Sequence, residues 1–111
     1  MNSPERRWKR FKVDIRVRLR RWEEAEDTAS VVRSHEMSEG GMSVYSPDEL
    51  EIGTYVVITF SWSPEEKGLR IRAVVRYRRG FRCGLEFVDL TAAERLEIAH
   101  YLGVVSGSAE S

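Results

Sequence analysis

The sequence predicts an all-β fold of about six short antiparallel strands, arranged as a small barrel or sandwich, with one short α-helix at the C-terminus. Three observations predict it. Apolar and polar residues alternate through several segments, turn-forming clusters separate those segments at near-regular spacing, and a helical period replaces the alternation only near the end of the chain. Closing such a sheet on itself removes exposed edges that would otherwise pair with other chains.

In "KVDIRVRLR", Val13, Ile15, Val17 and Leu19 alternate with charged or polar residues. Residues 12–20 therefore read as a first strand with one buried face and with Asp14, Arg16, Arg18 and Arg20 outside. "TASVVRS" and "GMSVYS" are shorter candidates. The alternation returns in "YVVITFSW", where Val56, Ile58, Phe60 and Trp62 share a face, and in "LRIRAVVRY", where Leu69, Ile71, Ala73, Val75 and Tyr77 do. "RCGLEF" is the last strand, and "SPDELEIG", "SPEEKG" and "RRG" are the turns. After "FVDL", Thr91 and Glu94 form a capping box, Leu96, Ala99 and Leu102 recur at helical spacing, and Gly103 stands where the helix stops. The chain thus divides into a basic arm over residues 1–11, a barrel with its helix over 12–103, and a disordered tail over 104–111.

At 111 residues and 41% apolar composition, the chain builds one core and one domain. That core accounts for the apolar faces, so a monomer or weak dimer is expected. The formal net charge is zero. The average conceals a segregation: Met1 to Trp22 carries nine Lys/Arg and two acids, whereas Glu23 to Glu51 carries nine acids and one Arg. An anion-seeking arm follows from this even in a neutral protein. Cys83 is the only cysteine, which excludes an intramolecular disulfide and a zinc-thiolate cluster. No apolar run approaches a membrane span of roughly 18 residues, and no apolar stretch of a signal peptide follows the N-terminus, so the chain reads as soluble and cytoplasmic.

Enzymatic chemistry finds little support. His35, Glu36 and Ser38 are the residue types of a hydrolase triad, yet groups so close along an extended chain project in divergent directions. Gly40 and Gly41 do not stand between a strand and a helix, as a nucleotide-binding glycine loop requires. His100 has no second metal ligand at helical spacing. The sequence therefore reads as a binding domain without cofactor or metal.

Two stretches carry binding chemistry. "ERRWKRF" offers forked donors for phosphate oxygens, planar cations that stack on purines, and the aromatic Trp8, which by default is a packing anchor. "HEMSEGGMSV" offers, near a turn, the Glu36 carboxylate for guanine N–H groups, the Ser38 hydroxyl and exposed backbone N–H groups. Arg70, Arg72 and Arg76 read as a solvated outer face balanced by acids on neighbouring strands, although one of them, or Arg33, is within the class of residue that contacts phosphate.

Here the residues resemble a known family. Arg6 and Arg10 match Arg-x-x-x-Arg, and Glu36, Ser38 and Gly41 match Asp/Asn-x-Ser-x-x-Gly. Together they are similar to the two signatures of the PilZ domain, the bacterial receptor for the second messenger cyclic di-GMP. "SPDELEIGTYVVITF" and "RGFRCGLEFVDLTAAERLEIAHYL" extend the resemblance over roughly residues 5 to 103. It implies a six-stranded antiparallel β-barrel with a C-terminal α-helix. It also implies that Arg6 and Arg10, with Arg7 as auxiliary, wrap over the ligand and contact its phosphates and guanine, while Glu36, Ser38 and Gly41, helped by Gly40, bind it from the barrel wall. The arm is then flexible without ligand and ordered over it, and the altered surface is offered to an unidentified effector protein.

One departure stands out, because Glu36 replaces the family's Asp or Asn and moves the carboxylate out by one methylene. Two other readings compete: a barrel that has lost the messenger and serves as a protein-interaction module, for which Glu36 is the best support, and a barrel that binds single-stranded nucleic acid.

Overall fold

A computed structural model describes residues 9–65 and 67–110. Arg6, Arg7 and Trp8 of the arm lie outside the described residues. The elements are β1 (Phe11–Lys12), β2 (Arg16–Arg21), β3 (Ser30–Met37), β4 (Gly41–Tyr45), β5 (Tyr55–Phe60), β6 (Leu69–Arg79), β7 (Arg82–Val88) and α1 (Ala92–Glu110), with a 3-10 turn over Glu26–Thr28. The sheet order is β1-β3-β2-β5-β6-β7-β4, and β4 also pairs with β3. That last pairing closes β2, β5, β6, β7, β4 and β3 into a ring, a six-stranded antiparallel barrel to which β1 is appended.

The alternation read from the sequence places the core. Val17, Val44, Val56, Ile58, Ala73, Val75 and Cys83 are fully enclosed inside the ring. Each buried aliphatic side chain of this size contributes roughly 1.5–3 kcal/mol, which makes this interior the main source of stability. Gly80 adopts φ 61° between β6 and β7, the left-handed conformation a tight hairpin turn requires.

Five expectations are corrected. The first strand is broken: β1 and β2 are separate, because the Ser34 side chain occupies the gap between them. Its hydroxyl accepts the Ile15 N–H at 3.0 Å and donates to the Val13 carbonyl. Arg20 is buried rather than outward, since its guanidinium donates to the carbonyls of Trp22 (3.2 Å) and Glu24 (2.8 Å) and so holds the turn after β2. Tyr77 does not share the inward face of β6; a bulge between Val75 and Tyr77 turns it to the outside.

On the helix, Leu102 is buried as expected, but Leu96 is 71% exposed and Ile98 enters the core in its place. Tyr101 stacks on Trp62 with ring centroids 3.8 Å apart, which fixes the rotation of the helix against the barrel. The helix also passes Gly103 and ends at Glu110. Glycine costs a helix interior about 1 kcal/mol relative to alanine, a penalty and not a stop, and Gly103 lacks the left-handed φ of a terminating glycine. The capping box is as expected: the Glu94 N–H donates to Thr91 Oγ1 and the Thr91 N–H to Glu94 Oε1, each at 3.0 Å. No helix among the described residues is long and apolar enough to cross a membrane.

Candidate functional site

A cleft of about 240 Å³ lies on the outer wall of the barrel, where the β3–β4 turn, the bulged part of β6, the end of β7 and the first turns of α1 converge. Arg10, Glu36, Ser38, Gly40 and Gly41 all line it. The arm residue and the turn, far apart in sequence, are thus brought together. Arg6 and Arg7 lie outside the described residues.

Local structure explains the turn. The β3–β4 register shifts between Ser34 and Glu36, so Met37 keeps its place in the core while Glu36 faces outward. The Ser38 N–H donates to the Gly41 carbonyl at 2.8 Å, and Ser38 Oγ accepts the Gly40 N–H at 3.2 Å. The Gly40 carbonyl then accepts the Phe87 N–H at 2.9 Å, which ties the turn to β7. Gly41 cannot carry a side chain, because an ideal Cβ would stand 2.2 Å from the Leu85 carbonyl oxygen. The backbone of the turn is therefore held from both sides, and the Ser38 hydroxyl accepts within the turn without donating to any described residue.

The triad reading finds no geometry: His35 Nδ1 lies 2.9 Å from the Tyr45 hydroxyl, and Ser38 is engaged within its own turn. Among the described residues, no group of His, Cys, Asp and Glu is arranged to hold a metal.

The charges of the cleft are mixed. Arg76 pairs with Glu86, and Asp89 with Arg72 at 3.0 Å. Arg10, Arg95, Glu36 and Glu39 make no ion pair among the described residues, which leaves two cations and two carboxylates for a ligand. A molecule with both phosphates and guanine N–H groups matches such a set, because each charge type then has a partner. Arg33, in contrast, is taken up by Asp14 at 2.8 Å in a neighbouring groove, and its hydrogen bond holds the Asp14 carboxyl below the ordinary carboxylate range. Arg70 pairs with Glu26 at 3.4 Å. The expectation of an outer face balanced by neighbouring acids holds for Arg70, Arg72 and Arg76, and Arg76 alone of them lines the cleft.

Sequence reasoning missed Tyr77, Asp89 and Arg95, which also line the cleft. Tyr77 was hidden by the bulge, which has no local mark in the sequence. Asp89, with φ 57°, makes the sharp exit from β7, a conformation that Asp tolerates better than most residues. For Arg95 a signal existed, since the capping box places it in the first turn of the helix, next to the strand that ends in "FVDL".

A family model described as "PilZ domain" matches residues 4–103. Among solved structures, the PilZ domain of YcgR from Escherichia coli, with c-di-GMP, superposes with a TM-score of 0.72 at 14% identity, covering 95% of this chain and 94% of that one. The PilZ domain of CeSA from a cellulose-synthesizing bacterium gives 0.70 at 15% identity, covering 88% and 98%. The Bacillus subtilis inhibitor of motility, MotI/DgrA, gives 0.69 at 20% identity over 89% of this chain and 49% of that one. No curated protein matches the chain.

Proposed function

From the premise that the chain belongs to the PilZ domain family, we propose that it is a receptor for cyclic di-GMP that passes the signal to an effector protein. The observation that carries this reading is the meeting of Arg10 with Glu36, Ser38 and Gly41 in one cleft of mixed charge. The reading assigns the arm with Arg6 and Arg7 the task of covering the ligand. In this reading Arg10 and the arm neutralise the phosphates, Glu36 accepts guanine N–H bonds, Ser38 donates to the ligand, and Gly40 and Gly41 let the backbone approach. Folding of the arm over the messenger changes the surface offered to the effector, and that change is the output.

Glu36 favours one alternative, a barrel that no longer binds the messenger and acts through protein contacts. Calorimetric titration with cyclic di-GMP separates the two. The receptor reading expects saturable binding, lost in Arg10→Ala and weakened several-fold or more in Ser38→Ala. Absence of binding by the native chain overturns it and leaves the interaction module. A salt-sensitive affinity for any single-stranded oligonucleotide instead marks a nucleic-acid barrel.

A further inference from the structure

The exposed apolar side chains of the protein gather at one end of the barrel. In the antiparallel ring, the connections after β2, β4 and β6 share one mouth, and those after β3, β5 and β7 share the other, where Trp62 meets Tyr101 of the helix. Among the described residues, seven large hydrophobic side chains are exposed. Six of them, Trp22, Val31, Tyr45, Ile52, Tyr55 and Phe81, lie in the loops of the first mouth or in the strand ends that meet those loops. The seventh, Leu96, is on α1. The loop between β4 and β5 crosses this mouth. Leu50 is buried beneath it, while Arg78 and Arg21 donate to its Asp48 and Glu49 carbonyls at 2.7 and 3.1 Å. The interior is therefore sealed at this end without covering the apolar residues outside.

The charges of this mouth are segregated across it. The β6–β7 hairpin is basic: Arg79 and Arg82 stand directly opposite each other in register, on either side of the exposed Phe81 tip. Neither makes an ion pair among the described residues. Like charges opposed in this way destabilise a sheet unless an anion comes to them. In the ring, β2 is the strand farthest from β7, three places away in either direction. The edge on that side is acidic. Glu23 follows Trp22 in the turn after β2, and the Glu49 backbone is tied to Arg21 at the end of the same strand. The carboxylates of Glu23 and Glu49 also lack an ion pair among the described residues. A basic edge and an acidic edge thus stand on opposite sides of the mouth, with the apolar residues distributed around it.

Such a surface is a poor match for a partner of one charge. A nucleic acid or an anionic membrane is repelled by the acidic edge, and a basic segment by the hairpin. It fits a surface of the same mixed kind turned round. We propose that this mouth of the barrel is a dimerisation face whose occupant is a second copy of the chain. A two-fold axis lying in the plane of the mouth, perpendicular to the line from hairpin to acidic turn, sets the hairpin of each copy on the acidic edge of the other, so that each charge contact is made twice. The exposed aromatic and aliphatic side chains then supply the apolar part of the interface. The cleft is built around the β3–β4 turn and α1, at the opposite end, so dimerisation here is independent of the receptor reading.

The test is sedimentation velocity of the full chain over a range of concentrations. The native protein is expected to pass from monomer to dimer as its concentration rises through the micromolar range. The double variants Arg79→Glu/Arg82→Glu and Glu23→Lys/Glu49→Lys are each expected to associate about a hundredfold more weakly, since each sets like charges in contact. An equimolar mixture of the two is expected to dimerise again, because the exchanged charges are complementary only in the mixed pair. Phe81→Ser is expected to weaken the native dimer about tenfold or more. A native chain that stays monomeric up to about 1 mM overturns the proposal and leaves the mouth to a different protein. A dimer that both double variants retain, or that their mixture fails to restore, overturns it as well. Should a variant fail to fold, NMR of the native chain on dilution decides: amide shifts confined to residues 22–31, 45–55 and 79–82 support this face, and shifts confined to the helix or the cleft overturn it.

Discussion

At the scale of single residues, two glycines with opposite surroundings show what the fold demands of each. Gly41 faces the Leu85 carbonyl so closely that a methyl group has no place, and the obstacle is backbone, which cannot swing aside. Gly41→Ala is expected to destabilise the protein by about 1–3 kcal/mol in urea unfolding and to abolish ligand binding in the fraction that remains folded. At Gly103, inside the helix, a methyl group would meet nothing within 4 Å, so Gly103→Ala is expected to raise stability by up to about 1 kcal/mol in the same measurement. The motif in the sequence pointed to Gly41 but said nothing of Gly84, whose constraint comes from a side chain on another strand.

At the scale of elements, alternation made the strands legible, and the capping box made the start of the helix legible, because both are written in neighbouring residues. Bulges are not. A bulge depends on one extra residue relative to a partner strand, so the reading of Tyr77 as inward failed there, while the reading of "KVDIRVRLR" as continuous failed at the Ser34 side chain, which another strand supplies. The helix stripe failed for a different reason: Leu96 and Ile98 are both apolar, and the choice between them is made by how Tyr101 meets Trp62, a contact between distant segments. Ser34 shows the energetic side of an interrupted strand. Its hydroxyl serves both the Ile15 N–H and the Val13 carbonyl, and Ser34→Ala leaves both without that partner in a buried place. A loss of about 1–3 kcal/mol in chemical unfolding is expected, with binding retained, since the cleft lies beyond the break.

At the scale of the whole molecule, ring closure leaves no route to the interior short of opening the barrel. Cys83 is fully buried in that interior, and its thiol is therefore a reporter of global opening. Labelling by a thiol reagent is expected to track the unfolding equilibrium, and cyclic di-GMP at a hundred times its Kd is expected to slow it about a hundredfold if the receptor reading holds. The closed barrel and its helix were legible in the sequence, as was the half of the candidate site that lies on one continuous turn. The other wall of the cleft was not, because it is assembled from β6, β7 and α1 only once the barrel closes. The cleft also occupies the outer side of strands whose inner side makes the core, so alternate residues of the same strand answer to different requirements. Selection can alter the outward set while leaving the inward set untouched. Descendants of such a domain are free to drift in ligand preference, or to abandon the ligand, without first risking collapse of the fold.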